Sequence, residues 1–192
     1  MQIYQKKEIT TIAQQLRAGA IIAFPTDTVF GLGCLMEDET ANQRIYQAKG
    51  RSFAKALPIM CADIAMLECI AETDAKSLRL LAKLTPGPLT LILKKRNSED
   101  TIAIRIPNDP FVIELIKAVG KPLSVTSANL SDQGSLQHFA EVKEQLVGRI
   151  DGIVEGDAQS TCSSTIVDCL HDFAILRQGD ISAKQIEEAL YE

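Results

Sequence analysis

Apolar positions along this chain recur at two spacings, and the spacing switches repeatedly from end to end. Ile9, Ile12, Ala13 and Leu16 fall on one helical face, with Gly19 placed to stop it. Residues 20–24 form a short β-type run closed by Pro25. Residues 39–48 read as a helix ending near Gly50, and residues 57–61 as a short strand. Residues 62–84 read as two helices broken around Thr73. A turn of Thr85-Pro-Gly-Pro88 follows. Residues 89–94 and 102–107 read as two strands around a polar loop. The next helix is capped by Asn108, takes Pro110 in its first turn and stops at Gly120. Residues 122–126, 152–155, 164–168 and 174–177 are strand-like, and residues 139–147 helical. The last helix opens at Ser182, with Gln185 three residues on completing a capping box.

Helices and strands interleave, but several strands are spaced as hairpins rather than as βαβ units. This pattern predicts an α/β or α+β fold with a twisted mixed sheet flanked by helices. Residues 1–192 show no repeat and no linker, so one domain is expected. With 46% apolar and 23% charged residues the chain is neither disordered nor a fibrous repeat. No apolar run approaches the ~18 residues of a spanning helix, and the N-terminus lacks an apolar signal core. A cytoplasmic location without membrane contact is therefore expected. Five cysteines without a C-x-x-C pair fit reduced thiols there. His138 and His171 lack zinc-like spacing to any cysteine, so no protein-built metal site is expected. Net charge is −5, which gives no general push toward nucleic acid. Trp is absent and aromatics make up only 5%, which argues against a base-stacking platform.

Four stretches are too polar or too glycine-rich to be plain connectors. Pro25-Thr-Asp-Thr-Val-Phe-Gly-Leu-Gly33 follows a buried-looking strand and can hold a small polar ligand. Lys49-Gly-Arg51, with Lys55 after it, forms a cationic fork suited to phosphate oxygens or, equally, a solvated basic helix end. Thr126-Ser-Ala-Asn129 brings hydroxyls and an amide to a strand's carboxyl end, where open sheets place ligands. Ser163-Ser-Thr-Ile-Val-Asp168 precedes Arg177, which ends a strand beside a glycine-containing turn. Arg105 stands apart from these. If its strand alternates, it shares a face with Ala103, opposite Ile104 and Ile106. A charge in such a strand needs a partner, and a ligand carboxylate would serve. The loop 156–164 is small and polar and is the expected mobile segment over a site. No phosphate-binding G-x-x-x-x-G-K-[ST] or G-x-G-x-x-G motif is present, and no Ser-His-Asp grouping with a signature. Chemistry here would rest on bringing charged reactants together rather than on a protein nucleophile.

Taken in order, these stretches resemble the YrdC/TsaC family of threonylcarbamoyl-AMP synthases. The resemblance rests on the opening motif from Pro25 to Gly33, on Lys49-Gly-Arg51 and on Thr85-Pro-Gly-Pro-Leu-Thr90. It continues through Ala103-Ile-Arg-Ile-Pro107, Ser127-Ala-Asn-Leu-Ser131, Ser164-Thr-Ile-Val-Asp168 and Ile175-Leu-Arg177. It implies the YrdC/RibB-like fold with a concave basic cavity. The implied reaction joins L-threonine, bicarbonate and ATP, with Mg2+ arriving on ATP, to give threonylcarbamoyl-adenylate and pyrophosphate. The product would feed the t6A modification of tRNA through separate transferase proteins, with at most a weak direct contact to tRNA or other double-stranded RNA.

Position by position, the resemblance implies threonine contacts from Thr28, Arg105, Ser127 and Thr165. It implies ATP contacts from Arg51, Lys55, Thr101, Ser135 and Arg177, with backbone help near Val125. The resemblance also implies that Lys49 and Asn129 fall on phosphate or carbamate oxygens and that Lys49 and Arg51 carry catalysis. Ser52 and Ala56 stand where the family often has prolines, and residues 57–61 resemble the YciO-like paralogues. A YciO-like protein with weak or different activity, and an RNA-binding module in tRNA or ribosome maturation, remain the alternatives.

Overall fold

Each strand sends alternate side chains to opposite faces, so a sheet buried on both sides needs apolar residues at consecutive positions. Residues 21–24 have that character. Ile22 and Phe24 point to one helical layer, and Ile21 and Ala23 to another. The computed structural model describes residues 1–191 and assembles eleven strands into one sheet. The strands are β1 (Gln2–Tyr4), β2 (Ile22–Phe24), β3 (Gly31–Leu35), β4 (Ile59–Met60), β5 (Ala71–Glu72), β6 (Leu89–Lys95), β7 (Thr101–Arg105), β8 (Leu123–Ser127), β9 (Gly152–Val154), β10 (Thr165–Asp168) and β11 (Ala174–Arg177). Their order is β1-β9-β2-β3-β8-β4-β7-β6-β10-β11, with β5 paired to β6. Parallel pairs such as β4–β7 and β6–β10 mix with antiparallel pairs such as β3–β8 and β6–β7, so the sheet is mixed as expected.

The helices are α1 (Ile9–Arg17), α2 (Glu39–Lys49), α3 (Ile64–Glu68), α4 (Ala75–Leu84), α5 (Pro110–Val119), α6 (Phe139–Leu146) and α7 (Ala183–Tyr191). In the β2–β3–β9 half, α1 and α5 cover one face and α2 and α6 the other. In the β4–β7–β6–β10 half, α4 and α7 cover one face. The helix ends follow the sequence signals. Asp38 and Asp74 cap α2 and α4, Gly50 closes α2 in the left-handed region, and Ser182 and Gln185 exchange hydrogen bonds ahead of α7.

Three details differ from the sequence reading. The cap of α5 is Asp109, whose Oδ1 accepts from the Val112 amide, while the Asn108 amide donates instead to Asp27. Strands β1, β3 and β5 are added, since glycines in β3 and the brevity of β1 and β5 hide their alternation. The loop 156–164 is tied down. Amides of Gln159 and Ser160 donate to the Thr26 and Thr28 carbonyls at 3.0 and 2.8 Å.

Candidate active site

Alternation makes the cavity. Leu89, Leu91 and Leu93 of β6 and Ile102 and Ile104 of β7 sink under α4 and α7. Thr90, Ile92, Ala103 and Arg105 therefore face the other way, with Met60 of β4 and Ile166 of β10. That face opens as a cavity of about 380 Å³, closed off by the β2–β3 loop, the end of β8 and the segment after Gly50. Its lining holds three arginines and several hydroxyls and no aspartate or glutamate.

Strand register puts Met60, Arg105, Thr90, Ile166 and Arg177 in one row across five strands. Arg105 and Arg177 are three strand spacings apart, roughly 14 Å along a flat sheet. Arg177 reaches this row through a bulge. Val167 pairs with Ile175, yet Ile166 pairs with Arg177, so Leu176 is the extra residue. Without the bulge Leu176 would face the cavity and Arg177 would turn away. Arg177 then lies across Ser164, with Nε donating to its carbonyl at 2.9 Å and Nη2 to its hydroxyl at 3.1 Å. Ser164 Oγ in turn bonds Thr90 Oγ1 at 2.7 Å.

Arg105 is only 6% exposed and is held by three residues from two other segments. Nη1 donates to Thr28 Oγ1 at 2.6 Å, Nε to the Gly87 carbonyl at 3.2 Å, and Nη2 pairs with Asp27 Oδ2 at 2.6 Å. Burial pulls the Arg105 pKa below the ordinary arginine value, and the charge and proximity of Asp27 oppose that pull. The partner expected from a ligand is thus already supplied in part by the chain itself. The contact also bends the sheet. Three strands separate β2 from β7, about 19 Å if the sheet were flat. The β2–β3 loop meets Arg105 only because the sheet curls, which is the origin of the concavity.

Arg51 sits on the irregular segment after Gly50. Its Nε and Nη2 donate to the Lys55 and Ala56 carbonyls at 3.1 Å each. Lys49 is only 2% exposed and lies behind the wall, where Nζ donates to the Ser127 and Asn129 carbonyls. Burial, with Arg51 as the second cause, pushes its pKa down to about 8.

Of the residues singled out, Thr28, Arg51, Thr101, Arg105, Val125, Ser127 and Arg177 line the cavity together. Six placements differ from the sequence reading, the backbone of Val125 among them. Thr165 is fully buried: its hydroxyl donates to the Ile181 carbonyl and accepts the Gly179 and Ile181 amides, so no capacity is left for a ligand. Gly179 is required there, because a Cβ would fall 2.3 Å from the Ser163 carbonyl. Lys49 braces the β8 exit rather than facing the cavity. Asn129 folds the next turn, donating to the Leu130 and Gln133 carbonyls. Lys55 points to Asp132 at 3.7 Å with both groups exposed. The Val125 amide is taken by the Pro58 carbonyl and is not free for a ligand. Ser135 lies outside the lining, 3.5 Å from Ser163 Oγ. Sequence reasoning missed Asp27, Thr90 and Ser164. Thr90 had a signal, since it is the polar position in Leu89-Thr-Leu-Ile-Leu93.

A curled mixed sheet with a cationic, hydroxyl-lined cavity places this chain among α/β proteins whose site complements negative charge. The chain belongs to the Sua5/YciO/YrdC family, whose model, described as "Telomere recombination", matches residues 14–179. It is 36% identical over 195 residues to the threonylcarbamoyl-AMP synthase of Bacillus subtilis, covering 95% of this chain and 56% of that protein. The crystal structure of Pyrococcus abyssi Sua5 complexed with L-threonine superposes with a TM-score of 0.94 at 32% identity, covering 100% of this chain and 62% of that one. Escherichia coli YciO superposes with a TM-score of 0.89 at 27% identity over 97% and 99% of the two chains. The chain thus spans little more than half the length of the first two relatives. No helix among the described residues is long and apolar enough to cross a membrane.

Proposed function

We propose that this chain is a threonylcarbamoyl-AMP synthase, working as one domain on L-threonine, bicarbonate and ATP. The observation that carries the reading is the cavity wall. It presents Arg51, Arg105 and Arg177 with hydroxyl donors and no carboxylate, which suits three anionic reactants. The relatives' names and the threonine-bound Sua5 structure point the same way.

Threonine lies at the closed end, its carboxylate on Arg105 and its polar atoms near Thr28 and Ser127. ATP lies toward Arg51, Thr101 and Arg177, with Val125 packing against it. The neutral threonine amine captures CO2 from bicarbonate, forming a carbamate, and the amine proton leaves with the hydroxide of bicarbonate as water. A carbamate oxygen attacks the α-phosphorus, the bond to the bridging oxygen breaks, and pyrophosphate leaves with that electron pair. Attacker and target are both negative, so neutralisation by the arginines and fixed placement supply the rate enhancement. Among the described residues no group of three or more His, Cys, Asp or Glu could hold a metal ion. This donor set fits Mg2+ carried on phosphates and water, where it would offset phosphate charge. Lys55 and Ser135 lie outside the lining, and Lys49, Asn129 and Thr165 hold the wall in shape. The product is a mixed anhydride destined for tRNA modification by separate proteins, in a cytoplasm that keeps the five thiols free.

Mass spectrometry of a reaction with ATP, L-threonine and 13C-bicarbonate tests this reading. A threonylcarbamoyl-adenylate carrying one 13C supports it; ATP binding without that product ends it. The near end-to-end likeness to YciO favours one second reading, a carbamoyl-adenylate former with another amine substrate.

A further inference from the structure

We infer that Asp27 is the positioning residue for Arg105, and that the ligand carboxylate binds well only while Asp27 holds that guanidinium against the wall. The inference rests on the proposed threonine site and adds a residue that does not touch the cavity. The Asp27 side chain is 5% exposed, and the residue is absent from the cavity lining. Its Oδ2 serves two groups at once. It pairs with Arg105 Nη2 at 2.6 Å and accepts the Asn108 amide at 2.9 Å. Arg105 ends β7 and Asn108 lies three residues later, just before the α5 cap. One carboxylate oxygen therefore fixes both the tip of the arginine and the backbone that follows it. Thr28, the next residue, bonds Nη1 of the same fork.

The arrangement has a second property. Asp27 Oδ1 is buried and has no hydrogen-bond partner among the described residues. Arg105 Nη2 likewise meets Asp27 as an ion pair without hydrogen-bond geometry, so an asparagine here can keep its carbonyl on the Asn108 amide and beside Arg105, with its amide where Oδ1 stands alone. Asp27→Asn therefore removes the charge while sparing the shape. What remains is a buried guanidinium without its counter-charge, next to an open cavity. Such a cation moves to solvent, and the binding-competent position is then populated only part of the time. Apparent affinity falls by that fraction.

The test is calorimetric titration of L-threonine, and separately of ATP, into wild type, Asp27→Asn and Asp27→Glu. The expected result is a threonine Kd raised about tenfold or more in Asp27→Asn. The ATP Kd stays within about twofold, and Asp27→Glu, which keeps the charge, returns most of the threonine affinity. An unchanged threonine Kd overturns the inference. A lowered one also overturns it, because Asp27 would then only mask the charge of Arg105. If Asp27→Asn does not fold, Asp27→Asn/Arg105→Met removes both charges and is compared with Arg105→Met. Equal threonine affinity in the two shows that Asp27 acts through Arg105, and a further loss overturns that. Wild type that binds threonine but forms no adenylate would end the activity reading and leave the Asp27 comparison intact.

Discussion

The two cationic ends of the cavity are built in opposite ways. At the closed end Arg105 is buried in a strand and gripped by Asp27, Thr28 and Gly87, which come from two other segments. At the open end Arg51 hangs from a segment without regular structure, and its protein partners are carbonyls of that same segment. The exposed Phe53 stacks on Tyr46 nearby, 4.7 Å between ring centres. On the proposed function, the closed end is set before a ligand arrives, while the open end would exchange its own carbonyls for ligand oxygens. This division suits an enzyme that must fix one small reactant and then admit and release a larger, more charged one.

The largest expected effect sharpens this contrast. Arg51→Ala should cut adenylate formation about 10²–10³-fold, as removal of one charge-stabilising donor does. Thermal stability should change little, because among the described residues the Arg51 side chain bonds only carbonyls of its own segment, and its amide bond to Tyr46 survives the substitution. Turnover like wild type would remove Arg51 from the reaction. Arg105→Ala should weaken threonine binding about a hundredfold and ATP binding far less. It should also destabilise the fold, since Asp27 is left as a buried unpaired charge. Equal losses for both ligands in a titration would erase the distinction between the ends.

Lys49 lies between the two ends and predicts a smaller effect. Its folded pKa of about 8 lies below the ordinary 10.5. Between these values the unfolded chain holds the proton and the fold does not, so stability rises with pH by up to about 3 kcal/mol across that window. Lys49→Met should lack this rise in denaturant titrations at pH 7.5 and pH ~10.5. A parallel rise in both proteins would place the proton elsewhere. The smallest effect lies far from the cavity. Burial alone would raise the Asp151 carboxyl, but Arg44 and the Ile21 amide hold it below 3.8. Its contribution is present above pH 3.8 and lost as pH falls below it. Asp151→Asn should cost no more than about 1 kcal/mol near neutral pH and lose that difference in acid. Threonine affinity should be untouched; a change there would mean the cavity senses the far sheet edge.

How far the site could be read in advance follows the same contrast. Arg105 was legible because a lone cation at an alternating position in Ile102-Ala-Ile-Arg-Ile106 cannot be a surface accident. Most helices announced themselves through caps and glycine stops. Arg177 was legible as a residue but not as a direction, because one bulged residue decides its face. Thr165 and Lys49 misled for a shared reason. A hydroxyl or an ammonium serves backbone carbonyls as readily as a ligand, and only the packed geometry separates the two uses. Asp27 was hidden between two threonines that carry the motif's obvious chemistry, and its partner is 78 residues away.

The most direct measurement is pyrophosphate release from ATP and Mg2+ by the purified protein, with and without L-threonine and bicarbonate, and with L-serine in threonine's place. The account predicts release that needs both co-substrates and favours threonine over serine. Release indifferent to threonine, from a folded protein that binds ATP, would contradict it.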